Sequence, residues 1–137
     1  MSAFAQVRGE ALPRIRAAGI CLGDFAPADA LVATHAIGLV PYYSGLETID
    51  MWGLTDATIA RADVGGLGQG TPGHERHDYA YVLTRAPDLI LPGRELVTDA
   101  PLALAPPGVF GPDFDALYEP GTVPCADGLY LNLWRRR

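Results

Sequence analysis

The sequence predicts a single α/β domain over residues 1–137, with a small, mostly parallel central sheet flanked by helices. Between residues 30 and 91, short apolar runs with β-branched residues alternate with stretches at helical spacing, the pattern of parallel strands joined by helical crossovers. That alternation makes residues 31–91 the core motif region. From Pro92 onward, Pro101, Pro106, Pro107, Pro112, Pro120 and Pro124 interrupt the chain, so residues 92–137 read as a Pro-rich packing region that closes on an edge strand. With 137 residues, 49% hydrophobic and 19% charged, the chain has enough material for one core without metal or disulfide staples.

The elements follow in order. Residues 2–22 read as helix, with Phe4, Val7, Ala11, Ile15 and Ala18 near helical spacing and Arg8, Glu10, Arg14 and Arg16 between them. Pro13 removes an amide donor, so a kink or a fresh helix start is expected there. Gly23 is expected to end the element, and Pro27 leads out as a loop. Residues 30–34 form a first strand, apolar enough to be buried on both faces and ending at His35. Gly38 and Pro41 then predict a short helix or turn that delivers Tyr42, Tyr43 and Ser44 to a rim.

Residues 47–51 form the second strand, and Thr55 caps a helix running to Arg61 with Asp56 in its first turn, where a carboxylate is favoured by exposed amides. Five glycines fall in residues 62–73. The stretch at 65–70 superficially resembles a phosphate loop but meets neither the GxGxxG nor the GxxxxGK[ST] spacing. Residues 74–85 read as helix with Tyr79, Val82 and Leu83 inward, residues 88–91 as a central third strand, residues 114–118 as a helical turn, and residues 128–134 as the closing edge strand.

Charge and composition exclude several functions. The net charge is −6 and there is no lysine, so the basic footprint of a nucleic-acid binder is missing. Arg135, Arg136 and Arg137 are too few for a lipid or phosphate cluster and read as a solvated terminus. No run reaches the length of a membrane span and no apolar signal core is present, so the chain is expected to be soluble. Cys21 and Cys125 form no CxxC pair. They could join the first helix to the last strand pair as a disulfide, but the reading preferred from sequence is two small buried thiols.

Ligands of open α/β sheets bind beyond the carboxyl ends of the strands. His35 follows the first strand, Asp50 ends the second, and Asp56 opens the next helix. Tyr42, Tyr43 and Ser44 come from the intervening turn, while His74 and Glu75, with His77 and Asp78, follow the glycine loop. If these converge, they supply acid/base groups, hydrogen-bond donors and aromatic faces suited to a sugar or another polyol. Each has a structural role to set beside that one: Asp56 as a first-turn carboxylate, Asp50 as an acceptor of loop amides, His35 as a satisfied strand-end imidazole, and the two tyrosines as one core and one rim ring. His74 and His77 could share a helix face, but an HxxH pair alone does not define a metal site, and neither metal nor cofactor is expected. There is no GxSxG elbow and hence no signal for nucleophilic catalysis. Trp52 and Trp134 are assigned to the core or to an oligomer contact.

Four blocks carry a resemblance: AIGLVPYYSG at 36–45, TIDMWGLTD at 48–56 with IAR at 59–61, PGHE at 72–75, and YVLTRAPDLI at 81–90. In this order the chain resembles the C-terminal soluble domain of polytopic bacterial glycosyltransferases that use polyprenyl-phosphate sugars, including arabinofuranosyltransferase-like proteins. The resemblance implies a domain outside the cytoplasmic membrane whose catalytic carboxylate and lipid-linked donor belong to a membrane part not contained in this chain. The expectation is therefore a domain not catalytic on its own that binds a carbohydrate, a lipid-linked sugar or a protein partner. A small hydrolase-like enzyme using His35, Asp50, Asp56 and His74, and a module that forms homo-oligomers through an apolar face, are the alternatives.

Overall fold

The computed structural model describes residues 11–35, 38–51 and 79–137. Among these, four α-helices, α1 (Ala11–Phe25), α2 (Leu39–Ser44), α3 (Tyr79–Thr84) and α4 (Phe114–Leu117), surround six strands. The strands are β1 (Leu31–Thr34), β2 (Glu47–Asp50), β3 (Leu89–Ile90), β4 (Val97–Thr98), β5 (Tyr118–Pro124) and β6 (Tyr130–Arg136). They form one sheet in the order β2-β1-β3-β6-β4, with β5 also paired to β6. The expected helix over residues 55–61 and the glycine-rich stretch lie outside the described residues.

Alternation along each strand divides the core between two faces. Val32, Leu89, Leu131 and Leu133 pack with Ala18 and Leu22 of α1 and Val40 of α2. The intervening Ala33, Ile90 and Trp134 pack with Ile49, Val82 of α3, Phe110, Phe114 and Tyr118. This makes a helix–sheet–helix sandwich, the arrangement in which a parallel strand is buried on both faces. The second face carries a run of rings: Tyr79 to Phe110 at 5.2 Å, Phe110 to Phe114 at 5.1 Å and Phe114 to Tyr118 at 5.2 Å between centroids. Trp134 stands edge-on to Phe114 at 5.7 Å, so it belongs to the core as expected.

The sheet is mixed rather than mostly parallel. β1 runs parallel to β2 and β3, but β6 is antiparallel to β3, β4 and β5. The closing strand, expected at an edge, is interior: β5 lies along one side of it, while β3 and β4 divide the other. The expectation failed because β5 contains Pro120 and Pro124, which read as breakers. The register explains their tolerance. Arg137 N donates to Leu117 O and Cys125 N donates to Leu129 O, so odd-numbered residues of this segment make the ladder bonds to β6 and even-numbered residues point their backbone outward. Both prolines occupy outward positions, where no ladder bond is lost, and they blunt the free edge.

Two further expectations are corrected. Gly23 does not end α1, which continues to Phe25. An added Cβ at Gly19 would lie 2.7 Å from Tyr43 Cβ, and one at Gly23 would lie 2.9 Å from Ser44 O, so these glycines, one turn apart, let α2 settle onto α1. Cys21 and Cys125 are not separate thiols but a disulfide, with Cα atoms 5.4 Å apart and a sequence separation of 104. Cys21 lies on the buried face of α1 and Cys125 follows β5 directly, and folding brings these faces together. Pro13 lies in the first turn of α1, where a missing amide donor is tolerated.

The terminal arginines are likewise not a loose tail. Arg135 and Arg136 complete β6. Arg136 donates to Asp88 Oδ1 at 2.7 Å, Arg137 reaches Glu119 Oε2 at 3.2 Å, and Arg135 approaches Glu119 Oε1 at 3.8 Å.

Candidate site at the carboxyl edge of the parallel strands

β2, β1 and β3 run the same way, so their carboxyl ends share one edge of the sheet. From β1 the chain moves outward to β2, and from β3 it moves the other way to β4 and β6. The ends of β1 and β3 therefore flank the place where the strand order reverses, which is where open α/β sheets hold their ligands.

His35 stands just beyond β1 at this position, half-buried. Its Nε2 is 3.3 Å from the hydroxyl of Tyr79, the first residue of α3. Burial raises the Tyr79 pKa above its ordinary 10.0, so the phenol remains a protonated donor and acceptor at neutral pH. Against the other side of the imidazole lies Gly93, just after β3, where an added Cβ would come 3.4 Å from His35 Nδ1.

Asp50, fully buried at the end of β2, lies in register with Thr34, which is also buried. Register partners project from the same face of the sheet, so the hydroxyl and the carboxylate lie on one face near this end. Imidazole, phenol, hydroxyl and carboxylate groups can between them donate to and accept from vicinal hydroxyl groups.

Other candidates lie elsewhere. α2 carries the chain from the carboxyl end of β1 back to the amino end of β2, so Tyr42, Tyr43 and Ser44, at its last turn, are delivered to the opposite end of the sheet. Tyr42 is 78% exposed and meets Tyr43 edge-on at 4.9 Å. Tyr43 rests against Gly19, with the Arg16 guanidinium 5.6 Å from its ring. Ser44 Oγ accepts from Leu46 N at 3.2 Å, and Gly45 closes the helix in the left-handed region at φ 71°, which makes Ser44 part of the turn. Asp56, His74 and Glu75 lie outside the described residues. The sequence did not single out Tyr79 or Gly93 as site residues; the one available signal was the Pro92-Gly93 pair immediately after an apolar strand.

Grooves also open among the described residues. One, of about 330 Å³, lies at the amino end of β1 and β3 beside Asp29, Asp88 and the three terminal arginines, whose charges are already met by Asp88 and Glu119. Another, of about 440 Å³, runs beside the disulfide between α1 and β5 and is lined mainly by apolar groups such as Ile20, Phe25 and Val123. No group of three or more His, Cys, Asp or Glu among the described residues is placed to hold a metal ion. Nor is any helix among them long and apolar enough to cross a membrane.

Fold and site together define a small, disulfide-linked α/β domain with a polar strand-end cluster. The chain belongs to the family described as Domain of unknown function (DUF8728), whose profile matches residues 5–130. No curated protein and no solved structure matches it.

Proposed function

We propose that this chain is a ligand-binding domain, not catalytic on its own, that works outside the cytoplasmic membrane and takes a carbohydrate at the carboxyl ends of β1 and β3. The observation that carries the reading is the His35–Tyr79 hydrogen bond, set against Gly93 at the point where the strand order reverses. Asp50 and Thr34 add buried polar support beside it. The likeness of residues 36–90 to the extracytoplasmic domains of polyprenyl-phosphate-sugar glycosyltransferases points to a sugar. The Cys21–Cys125 disulfide fits an oxidising compartment, since such bonds are rare where thiols are kept reduced.

The test is calorimetric titration of wild-type, H35A and Y79F protein with methyl arabinofuranoside and methyl mannopyranoside. Binding by wild type that weakens at least tenfold in H35A supports the reading. Equal binding by all three proteins contradicts it. Bond cleavage in either sugar, lost in H35A, would instead favour an enzyme that uses the His35–Tyr79 pair.

A further inference from the structure

β3 and β4 are two stretches of one interrupted line beside β6. β3 pairs with Arg135 and Trp134, β4 pairs with Leu131 and Tyr130, and residues 91–96 leave the sheet between them. On one side of the break Leu91 N donates to Ala33 O at 2.9 Å, and on the other Asn132 N donates to Leu96 O at 2.9 Å. The excursion carries Gly93, the residue that lies against the His35 imidazole.

A side chain of β6 grips this turn. Asn132 is fully buried, and its Nδ2 donates to Glu95 O at 2.8 Å and to Thr98 Oγ1 at 3.0 Å. Glu95, exposed at the surface, adopts a left-handed backbone with φ 58°, a conformation that a non-glycine residue holds only where its surroundings impose it. The Asn132 amide imposes it from beneath. Its Oδ1 is buried with no hydrogen-bond partner among the described residues, so the side chain brings the core an unmet acceptor that an apolar residue of similar size would spare it. What the amide does supply is the grip on Glu95 and Thr98.

Asn132 stands two residues before Trp134, and His35 two residues after Ala33. Trp134 and Ala33 both face the ring-lined side of the sheet, so alternation puts Asn132 and His35 on that side as well. The turn is therefore drawn over the face on which His35 meets Tyr79. We propose that Asn132 is a positioning residue of the strand-end site: by holding Glu95 O it keeps the 91–96 turn over this face, and Gly93 in that turn sets where the His35 imidazole stands against Tyr79. This inference rests on the ligand-binding reading of the same edge, to which it adds a residue that acts through the turn and not by touching the ligand.

NMR of the His35 and Tyr79 rings in full-length wild-type, N132A, E95V, E95G and Y118F protein tests this, each protein also being titrated with methyl arabinofuranoside and methyl mannopyranoside. A β-branched valine resists the left-handed backbone and glycine accepts it, and residue 95 is exposed, so neither change enters the core. N132A and E95V should move the His35 and Tyr79 ring resonances and weaken sugar binding at least tenfold, while E95G keeps both at wild-type values. Y118F, which removes a hydrogen bond at the amino end of β3, should leave the two rings where they are. Wild-type ring resonances in folded N132A overturn the proposal, and where N132A does not fold the same result in E95V overturns it. Ring movement as large in E95G as in E95V, or as large in Y118F as in N132A, overturns it too. If wild type binds neither sugar, the ligand-binding reading falls and the rings alone decide: movement in N132A and E95V supports the positioning role, and stationary rings overturn it.

Discussion

Asp88 and Arg136 join the start of one central strand to the end of another. Asp88 accepts from Leu31 N through Oδ2 at 2.9 Å and from Arg136 through Oδ1 at 2.7 Å, while Arg136 N donates to Asp88 O at 3.0 Å. The Leu31 amide holds the Asp88 carboxyl below its ordinary 3.8; burial opposes it, and the Arg136 guanidinium adds to the lowering. The sign for stability follows: a carboxyl whose folded pKa is lowered stabilises the fold above its ordinary value, and that contribution is lost as pH falls through the folded one. D88N should therefore be less stable than wild type at neutral pH by about 1 kcal/mol, since the pair is partly exposed. Its unfolding midpoint should also fall less steeply than wild type's below about pH 4. Circular-dichroism melts from neutral pH to strong acid check both effects.

The disulfide closes a loop of about a hundred residues. Chain entropy alone predicts a stabilisation of about 4 to 5 kcal/mol for a loop of that length. The C21S/C125S double variant should melt well below wild type, and wild type in excess dithiothreitol should approach it. A thiol assay on denatured, unreduced protein should find no free cysteine.

Gly19 and Gly23 give a prediction whose sign is informative. Alanine in place of glycine in a helix ordinarily adds about 0.5 to 1 kcal/mol of stability. Here the new methyl group would meet Tyr43 or the Ser44 backbone at under 3 Å. G19A and G23A should instead destabilise by about 1 to 3 kcal/mol, as denaturant titration would show.

Tyr118 donates to Pro87 O at 2.7 Å, and burial pushes its pKa up to about 12, with the Asp88 charge adding to the rise and Arg136 opposing it. Y118F leaves the stacked ring in place but orphans a carbonyl behind a buried side chain. It should lose about 1 to 2 kcal/mol with no change in aromatic packing by near-ultraviolet circular dichroism.

Local pattern made part of this structure legible. β1 and β3 announced themselves as short apolar runs and β2 by its β-branched Thr48 and Ile49, the centrality of β3 followed from its continuous hydrophobic character, and His35 and Asp50 were placed at strand ends because the strands stop there. Non-local pairing was not legible. β5 was hidden because its prolines read as breakers until register showed that they point away from β6, and β6 was misplaced as an edge for the same reason. The disulfide depends on a 5.4 Å approach between Cα atoms that no spacing encodes. Tyr43 and Ser44 looked like partners of His35 because they follow it closely in sequence, yet α2 crosses the length of the sheet and leaves them at its other end.

The central claim is that the molecule binds its ligand where β1 and β3 end. The most direct measurement is a map of amide shifts on adding methyl arabinofuranoside and methyl mannopyranoside to isotope-labelled protein. The account predicts that the moved resonances centre on Thr34, His35, Asp50, Tyr79 and Gly93. Shifts confined to the opposite end, around Tyr42, Asp88 and Arg136, or to the groove beside Cys21 and Cys125, would contradict it.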